Sequence, residues 1–130
     1  MSMTIPVSHI DLIKSSLVVT LITTMPDGQP HGSVVWCRLH GTQIQISITD
    51  DTQKYRNLVH ESRVSIVAID TTDPFRYVEV RGTVSMSREN TREILREIAT
   101  IYGRPDYDVE SGADKRVILT ITPTKVITHG

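Results

Sequence analysis

The stretch Ser47-Ile-Thr-Asp-Asp-Thr-Gln-Lys-Tyr-Arg-Asn-Leu58 carries the residues best placed for chemistry. A polar strand end runs directly into a helix whose first turn holds Lys54 and then Arg56. A helix start presents free backbone N–H groups and a partial positive charge. Lys54 there, with the hydroxyls of Ser47 and Thr49 nearby, would make a phosphate site. The same residues also fit a plainer arrangement, in which Asp50 or Thr52 caps the helix and Lys54 and Arg56 lie on its solvated face.

Two further stretches could meet a ligand. In His31-Gly-Ser-Val-Val-Trp36, Gly32 lets a backbone approach closely, Ser33 offers a hydroxyl, and Trp36 could wall a planar ring; a barrel strand with a core tryptophan would read the same. In Tyr77-Val-Glu-Val-Arg-Gly82, Tyr77 offers a ring face and a hydroxyl. Glu79 and Arg81 share a strand face, as a cross-strand ion pair would require.

Other schemes lack their residues. His9, His31, His40, His60 and His129 show no metal-binding spacing, and no serine sits in a GxSxG elbow. Cys37 is the one cysteine, so no internal disulfide or CxxC pair is possible. Mid-strand beside Arg38, it reads as a buried structural thiol. Nothing here carries difficult chemistry unaided, so an enzyme on this chain would take its reactivity from a bound cofactor.

These residues need strands to position them. Ser8 to about Ser15 reads as a short capped helix. Leu17–Thr24, Ser33–Leu39 and Arg63–Asp70 are strands by their Val, Ile, Thr and Leu content. Met25-Pro-Asp-Gly28 and His40-Gly-Thr42 are turns. Ile44, Ile46 and Ile48 alternate with Gln45, Ser47 and Thr49, which gives one core face and one polar face. Gln53–Glu61 is a short helix. Arg76–Ser87 is a long strand, and Gly82 within it marks a bulge or sharp bend. Glu89–Tyr102 is a helix with Ile94, Leu95, Ile98, Ile101 and Tyr102 as its apolar stripe, ended by Gly103. Residues 104–114 form a polar loop and a candidate lid. Val117–Thr122 is a sixth strand ended by Pro123, and Lys125–Thr128 a seventh. The expected fold is therefore mainly β: six or seven antiparallel strands, closed or nearly closed into a barrel, which disposes of exposed edges.

The whole-chain numbers agree with one such domain over residues 1–130. The charge is −1, from 14 basic and 15 acidic residues, so no strong field favours nucleic acid or an acidic membrane. Aromatic residues are 5%, too few for a base-stacking platform. No apolar run reaches the ~18–20 residues of a membrane helix. Asp11 and Lys14 interrupt the only candidate signal-peptide core. The expectation is a cytoplasmic protein with no nucleic-acid or membrane partner.

Taken in order, five features resemble the split-barrel proteins related to pyridoxamine 5′-phosphate oxidase, above all their short branch dependent on the deazaflavin F420. They are Thr24-Met-Pro-Asp-Gly-Gln-Pro30 leading into Gly-Ser-Val-Val-Trp36, Ile46-Ser-Ile-Thr49, Lys54-Tyr-Arg-Asn-Leu58, Tyr77-Val-Glu-Val-Arg-Gly-Thr-Val84, and Arg116-Val-Ile-Leu-Thr-Ile-Thr-Pro123. The resemblance spans roughly residues 8–128. It implies a split β-barrel of the FMN-binding type and a homodimer with cofactor sites at its interface. By position, Lys54 would contact the cofactor phosphate, helped by Ser47, Thr49 and Gln53. Ser33, Val34 and Val35 would run beside the tricyclic ring. Tyr77 would come from the partner subunit, and Arg116 would help at the interface.

The sequence departs from relatives at Thr52-Gln53, where an arginine often precedes the lysine; this weakens the implied phosphate grip. The paired arginines and histidine of the vitamin oxidase's C-terminal substrate segment have no counterpart before Thr128-His-Gly130, so oxidation of pyridoxamine phosphate is not the expected activity. The resemblance implies an F420-dependent oxidoreductase passing a hydride between the deazaflavin and a small conjugated substrate, without a catalytic side chain. Two alternatives stand beside it. One is an FMN-binding flavoprotein that exchanges electrons with a partner or a nicotinamide. The other is a non-catalytic binder or sensor for flavin or haem.

Overall fold

The computed structural model describes residues 3–15 and 17–130. Its elements are α1 (Asp11–Lys14), β1 (Val19–Thr24), β2 (Pro30–Val35), β3 (Arg38–His40), β4 (Gln43–Thr49), α2 (Gln53–His60), β5 (Arg63–Ile69), β6 (Tyr77–Ser87), α3 (Thr91–Ile101) and β7 (Arg116–His129). A 3-10 turn, Ala113–Lys115, precedes β7. The seven strands form one antiparallel sheet in the order β2-β1-β5-β6-β7-β4-β3.

Alternation puts the core on one side of this sheet. Leu21, Ile44, Ile46, Ile66, Val78, Val80, Leu119 and Ile121 are all fully buried there, and Leu12 and Ile13 of α1 join them. Each strand's intervening residues face outward, as the period of two requires. β6 and β7 hold the halves together. They pair from Tyr77↔His129 to Ser87↔Ile118, with a register shift at Arg81/Gly82. A Cβ on Gly82 would lie 2.5 Å from the Thr122 carbonyl oxygen, so only glycine lets the two backbones close up there.

Three expectations change. The run Ser33–Leu39 is two strands, because the chain leaves the sheet at Trp36 and Cys37. The Cys37 N–H donates to the Tyr102 hydroxyl at 3.0 Å instead of to a strand, and that hydroxyl donates to the Leu17 carbonyl at 2.7 Å. The sixth and seventh strands are one continuous β7, since Pro123 sits at the bulge, where a missing N–H costs no ladder bond. The barrel is split, as the resemblance implies: β2 and β3 remain as sheet edges, with no ladder between them among the described residues. Shortness guards the β3 edge, which has three residues. The α3 contact is narrower than its apolar stripe: Leu95, Ile98 and Ala99 are buried, while Ile101 is exposed.

No described helix is long and apolar enough to cross a membrane.

Candidate functional site

β4 delivers the site. Ile44, Ile46 and Ile48 anchor it in the core, so Ser47 and Thr49 stay half-exposed on the opposite side. The chain then turns through Asp50 and Asp51 into α2. Thr52 is the cap: its hydroxyl oxygen accepts from the Tyr55 N–H at 3.4 Å and donates to the Thr49 carbonyl at 2.9 Å. Lys54 is therefore the second residue of α2, in its positive end, and no acidic residue occupies that first turn. A cation is electrostatically disfavoured there. Its surroundings become favourable when an anion joins it.

Both acids of the turn are engaged elsewhere. Asp50 pairs with Arg88 at 2.9 Å. Asp51 accepts the Thr49 hydroxyl at 2.6 Å and lies 3.6 Å from the Lys115 Nζ; these contacts hold its carboxyl below the usual range. Lys54 and Arg116 make no ion pair among the described residues. Arg116 opens β7 opposite Thr49, with its Nη1 3.5 Å from the Ser47 hydroxyl.

These residues line one cleft of about 360 Å³. Ser47, Thr49, Thr52, Lys54 and Arg116 form its polar side; Val18, Val34, Val35, Trp36, Ile48, Leu95, Ile98 and Tyr107 form the rest. Trp36 stacks on Tyr102 with ring centroids 4.9 Å apart and meets Tyr107 edge-on at 5.5 Å. It is thus a cleft wall, half-buried, and not a core tryptophan.

The remaining sequence candidates lie outside the lining. Ser33 is on the inward face of β2 with His31, and its buried Oγ has no hydrogen-bond partner among the described residues. Gln53 turns the other way: its amide accepts from Arg56 and donates to the buried Asn57, both at 2.9 Å. Asn57 in turn donates to Thr23 at 3.0 Å, which ties α2 to β1. Tyr77 stacks on His129 at 5.1 Å and does not line the cleft of its own chain. Glu79 and Arg81 pair with each other along β6 at 2.9 Å, two residues apart on one strand, and not across strands as expected. Cys37 is a buried thiol whose pKa burial pushes up to about 11, so it is no nucleophile.

Sequence reasoning missed Tyr107, Leu95, Ile98 and Val18 as lining. Leu95 and Ile98 read as ordinary core positions of a helix stripe. The loop holding Tyr107 read as a lid, without a residue to carry that role.

Would a phosphate-bearing cofactor fit? The buried Nε of Arg116 has no hydrogen-bond partner among the described residues. Buried donors are seldom left so. An anion reaching Arg116 and Lys54 would meet two cations and the hydroxyls of Ser47 and Thr49, beside an apolar wall suited to a flat ring. The residues present fit such a group.

Fold and cleft together define a split-barrel protein whose cleft sets Lys54 and Arg116 beside an aromatic wall. The sequence matches the family model described as pyridoxamine 5′-phosphate oxidase over residues 8–130, and the chain belongs to that family. A solved structure named F420 Reductase is 29% identical, superposes with a TM-score of 0.88, and the match covers 95% of this chain and 98% of that one. A conserved hypothetical protein from Mycobacterium tuberculosis is 26% identical, with a TM-score of 0.77 and coverage of 98% and 86%. A putative pyridoxamine 5′-phosphate oxidase from Listeria innocua shares the fold at 16% identity, with a TM-score of 0.69 and coverage of 85% and 86%. No curated protein matches the chain.

Proposed function

We propose that this chain is an oxidoreductase that binds the deazaflavin F420 in the cleft between β4, α2 and β2, as a homodimer. The observation that carries this reading is the pair of unmatched cations, Lys54 and Arg116, lining one cleft with Ser47 and Thr49. The likeness to a structure named F420 Reductase, nearly end to end, favours deazaflavin over FMN. In the bound state the cofactor supplies the hydride for a small conjugated substrate.

The chain's own residues bind and orient. Lys54 and Arg116 hold the phosphate charge, and Ser47 and Thr49 complete its hydrogen bonds. Val34, Val35 and Trp36 give the ring a dry wall, with Ser33 behind them on β2. Gln53 acts indirectly, by linking Arg56 to Asn57 at the start of α2. No side chain forms a covalent intermediate, so the protein contributes positioning and electrostatics.

The second copy docks on the outer face of β2, β1, β5 and β6. Val34 pairs across to Thr20, and Thr20 to Val67, so these three form one outward row. Val34 is 65% exposed, and Val18 and Ile69 lie exposed near it. An apolar sheet face of this kind favours a partner. The cleft borders it through Val18 and Val34, so Tyr77 of a second copy completes the site. Residues 1–130 act as one cofactor-binding domain.

Parallel titrations of the purified protein with F420 and with FMN test the reading. Quenching of deazaflavin fluorescence at micromolar protein, with FMN much weaker, is the expected result. Tight FMN binding would replace the deazaflavin reading with the flavoprotein one. Neither ligand binding would overturn the cofactor assignment.

A further inference from the structure

Tyr102 and Tyr107 both touch Trp36, but they are held very differently. Tyr102 is fixed: its hydroxyl donates to Leu17 and accepts from Cys37, and its ring lies 12° from parallel to the indole. Tyr107 lines the cleft, is 37% exposed, and its hydroxyl makes no hydrogen bond among the described residues. Its ring meets Trp36 at 63°, edge to face.

The backbone around Tyr107 divides into an arm and a foot. After α3 the chain passes Gly103 at φ 74°, a left-handed conformation that glycine adopts without strain. The Arg104 N–H is tied back to the Ala99 carbonyl of α3 at 2.8 Å, and the arm beyond it, residues 105–107, closes through the Tyr107 N–H to the Arg104 carbonyl at 3.1 Å. No backbone hydrogen bond ties residues 105–107 to a strand among the described residues. The foot is anchored. Val109 is 2% exposed, Asp108 accepts from the Glu110 and Ser111 N–H groups, and Glu110 pairs with Arg92 at 2.9 Å. A segment held by few contacts beside a well-anchored one is where local opening concentrates.

We propose that Tyr107 is the access-controlling residue of the cleft. Its ring is a movable cover that rests on Trp36 in the free protein and swings on the arm of residues 105–107 to admit a planar ligand, then closes over it. This deepens the cofactor reading and rests on it for the ligand, although the motion itself belongs to the free protein. The ring does the covering, and the hydroxyl has no part in it.

Trp36 is the sole tryptophan, so its emission reports the cover directly. The free protein, Tyr107→Ala and Tyr107→Phe would be compared by acrylamide quenching of Trp36, with circular dichroism to confirm that each folds. Tyr107→Ala is expected to quench more readily than the natural protein, and Tyr107→Phe to match it. With F420 bound, Tyr107→Ala should release the ligand between about two- and tenfold faster, the range for losing one aromatic contact. Tyr107→Phe should release it at the natural rate. Glu110→Gln, a surface change, supplies an independent check: it loosens only the foot and should leave quenching near the natural value.

Equal quenching in the natural protein and Tyr107→Ala would overturn the proposal, and so would a Tyr107→Phe variant that behaves like the alanine. These outcomes need no cofactor. If neither F420 nor FMN binds, the cofactor reading fails while the quenching result still decides whether the cover exists.

Discussion

Lys54 stands where helix electrostatics disfavours it, at the positive end of α2 with both neighbouring acids committed elsewhere. Ligand binding relieves this strain, so the residue should matter to affinity and hardly to stability. Lys54→Ala is expected to weaken cofactor binding by ~1.5–3 kcal/mol, the range for a charge-assisted hydrogen bond. The thermal midpoint of the free variant should stay within about a degree or rise slightly, because a half-exposed lysine in a helix's first turn costs little to remove. Isothermal titration and a thermal melt on the same preparation separate the two effects. Lost stability with retained affinity would show a structural lysine. Arg76 makes the opposite kind of contact. It bridges Asp11 of α1 at 2.6 Å and Asp70 at 2.9 Å, and it donates to the Ser8 carbonyl at 2.6 Å. Hydrogen bonds from Thr72 and Arg76 lower the Asp70 pKa from 3.8 to about 2, and Arg76 lowers that of Asp11. A carboxylate with a depressed folded pKa stabilises the fold fully above its unfolded value and loses that contribution as pH falls through the folded one. Between about pH 4 and pH 2, therefore, the docking of α1 should weaken. Chemical denaturation across that window should show a shallower acid slope for Asp70→Asn than for the natural protein. Identical slopes would remove this clamp from the account of acid stability.

At the scale of elements, the β6–β7 pair depends on one missing side chain. The Cβ of an alanine at position 82 would stand 2.5 Å from the Thr122 oxygen and 2.9 Å from the Ile121 Cγ2. Both neighbours belong to a central strand and cannot step aside cheaply. Gly82→Ala should cost at least ~1–3 kcal/mol, the usual range for overpacking, and urea unfolding would measure it. A neutral substitution would mean that the bulge can re-register. This element was legible in the sequence, because a glycine inside a strict alternation of valines marks a point where a side chain has no room or the strand must bend. The start of α2 was legible for a similar reason: Thr52, Lys54 and their neighbours act through contacts within a few residues. The break at Trp36–Cys37 was not. Its cause is the Tyr102 hydroxyl, 65 residues further along the chain, and local β propensity through Ser33–Leu39 runs straight over it. Pro123 misled for the same reason. It read as a stop, and only its place opposite Gly82, beside the extra residue Thr124 on β7, shows why β7 continues. The cleft divides likewise: its Lys54 comes from a short-range pattern and its Arg116 from the family resemblance, while its Leu95, Ile98 and Tyr107 side comes from an element packed on from elsewhere.

For the whole molecule, the proposed dimer would be set by the outer face of β2, β1 and β5. Val34, Thr20 and Val67 make one outward row on which Val34 is 65% exposed, an apolar spot that a partner would cover. In the proposed dimer a two-fold pair of such faces would bury it against its own copy, since an isologous contact needs one patch complementary to itself. Val34 has a double position, exposed on this face and lining the cleft. Assembly and cofactor binding should therefore be coupled. Val34→Asp places a charge in the proposed interface and is expected to yield monomers in sedimentation equilibrium, with cofactor affinity falling in step. Tyr77→Ala should weaken binding more than it weakens the dimer, because its ring is assigned to the partner's cleft, while the Val34, Thr20 and Val67 row carries the contact that joins the copies. The two variants together resolve the coupling. A monomeric Val34→Asp that binds F420 as tightly as the natural protein would show that one chain holds a complete site, and Tyr77 would then have no place in it.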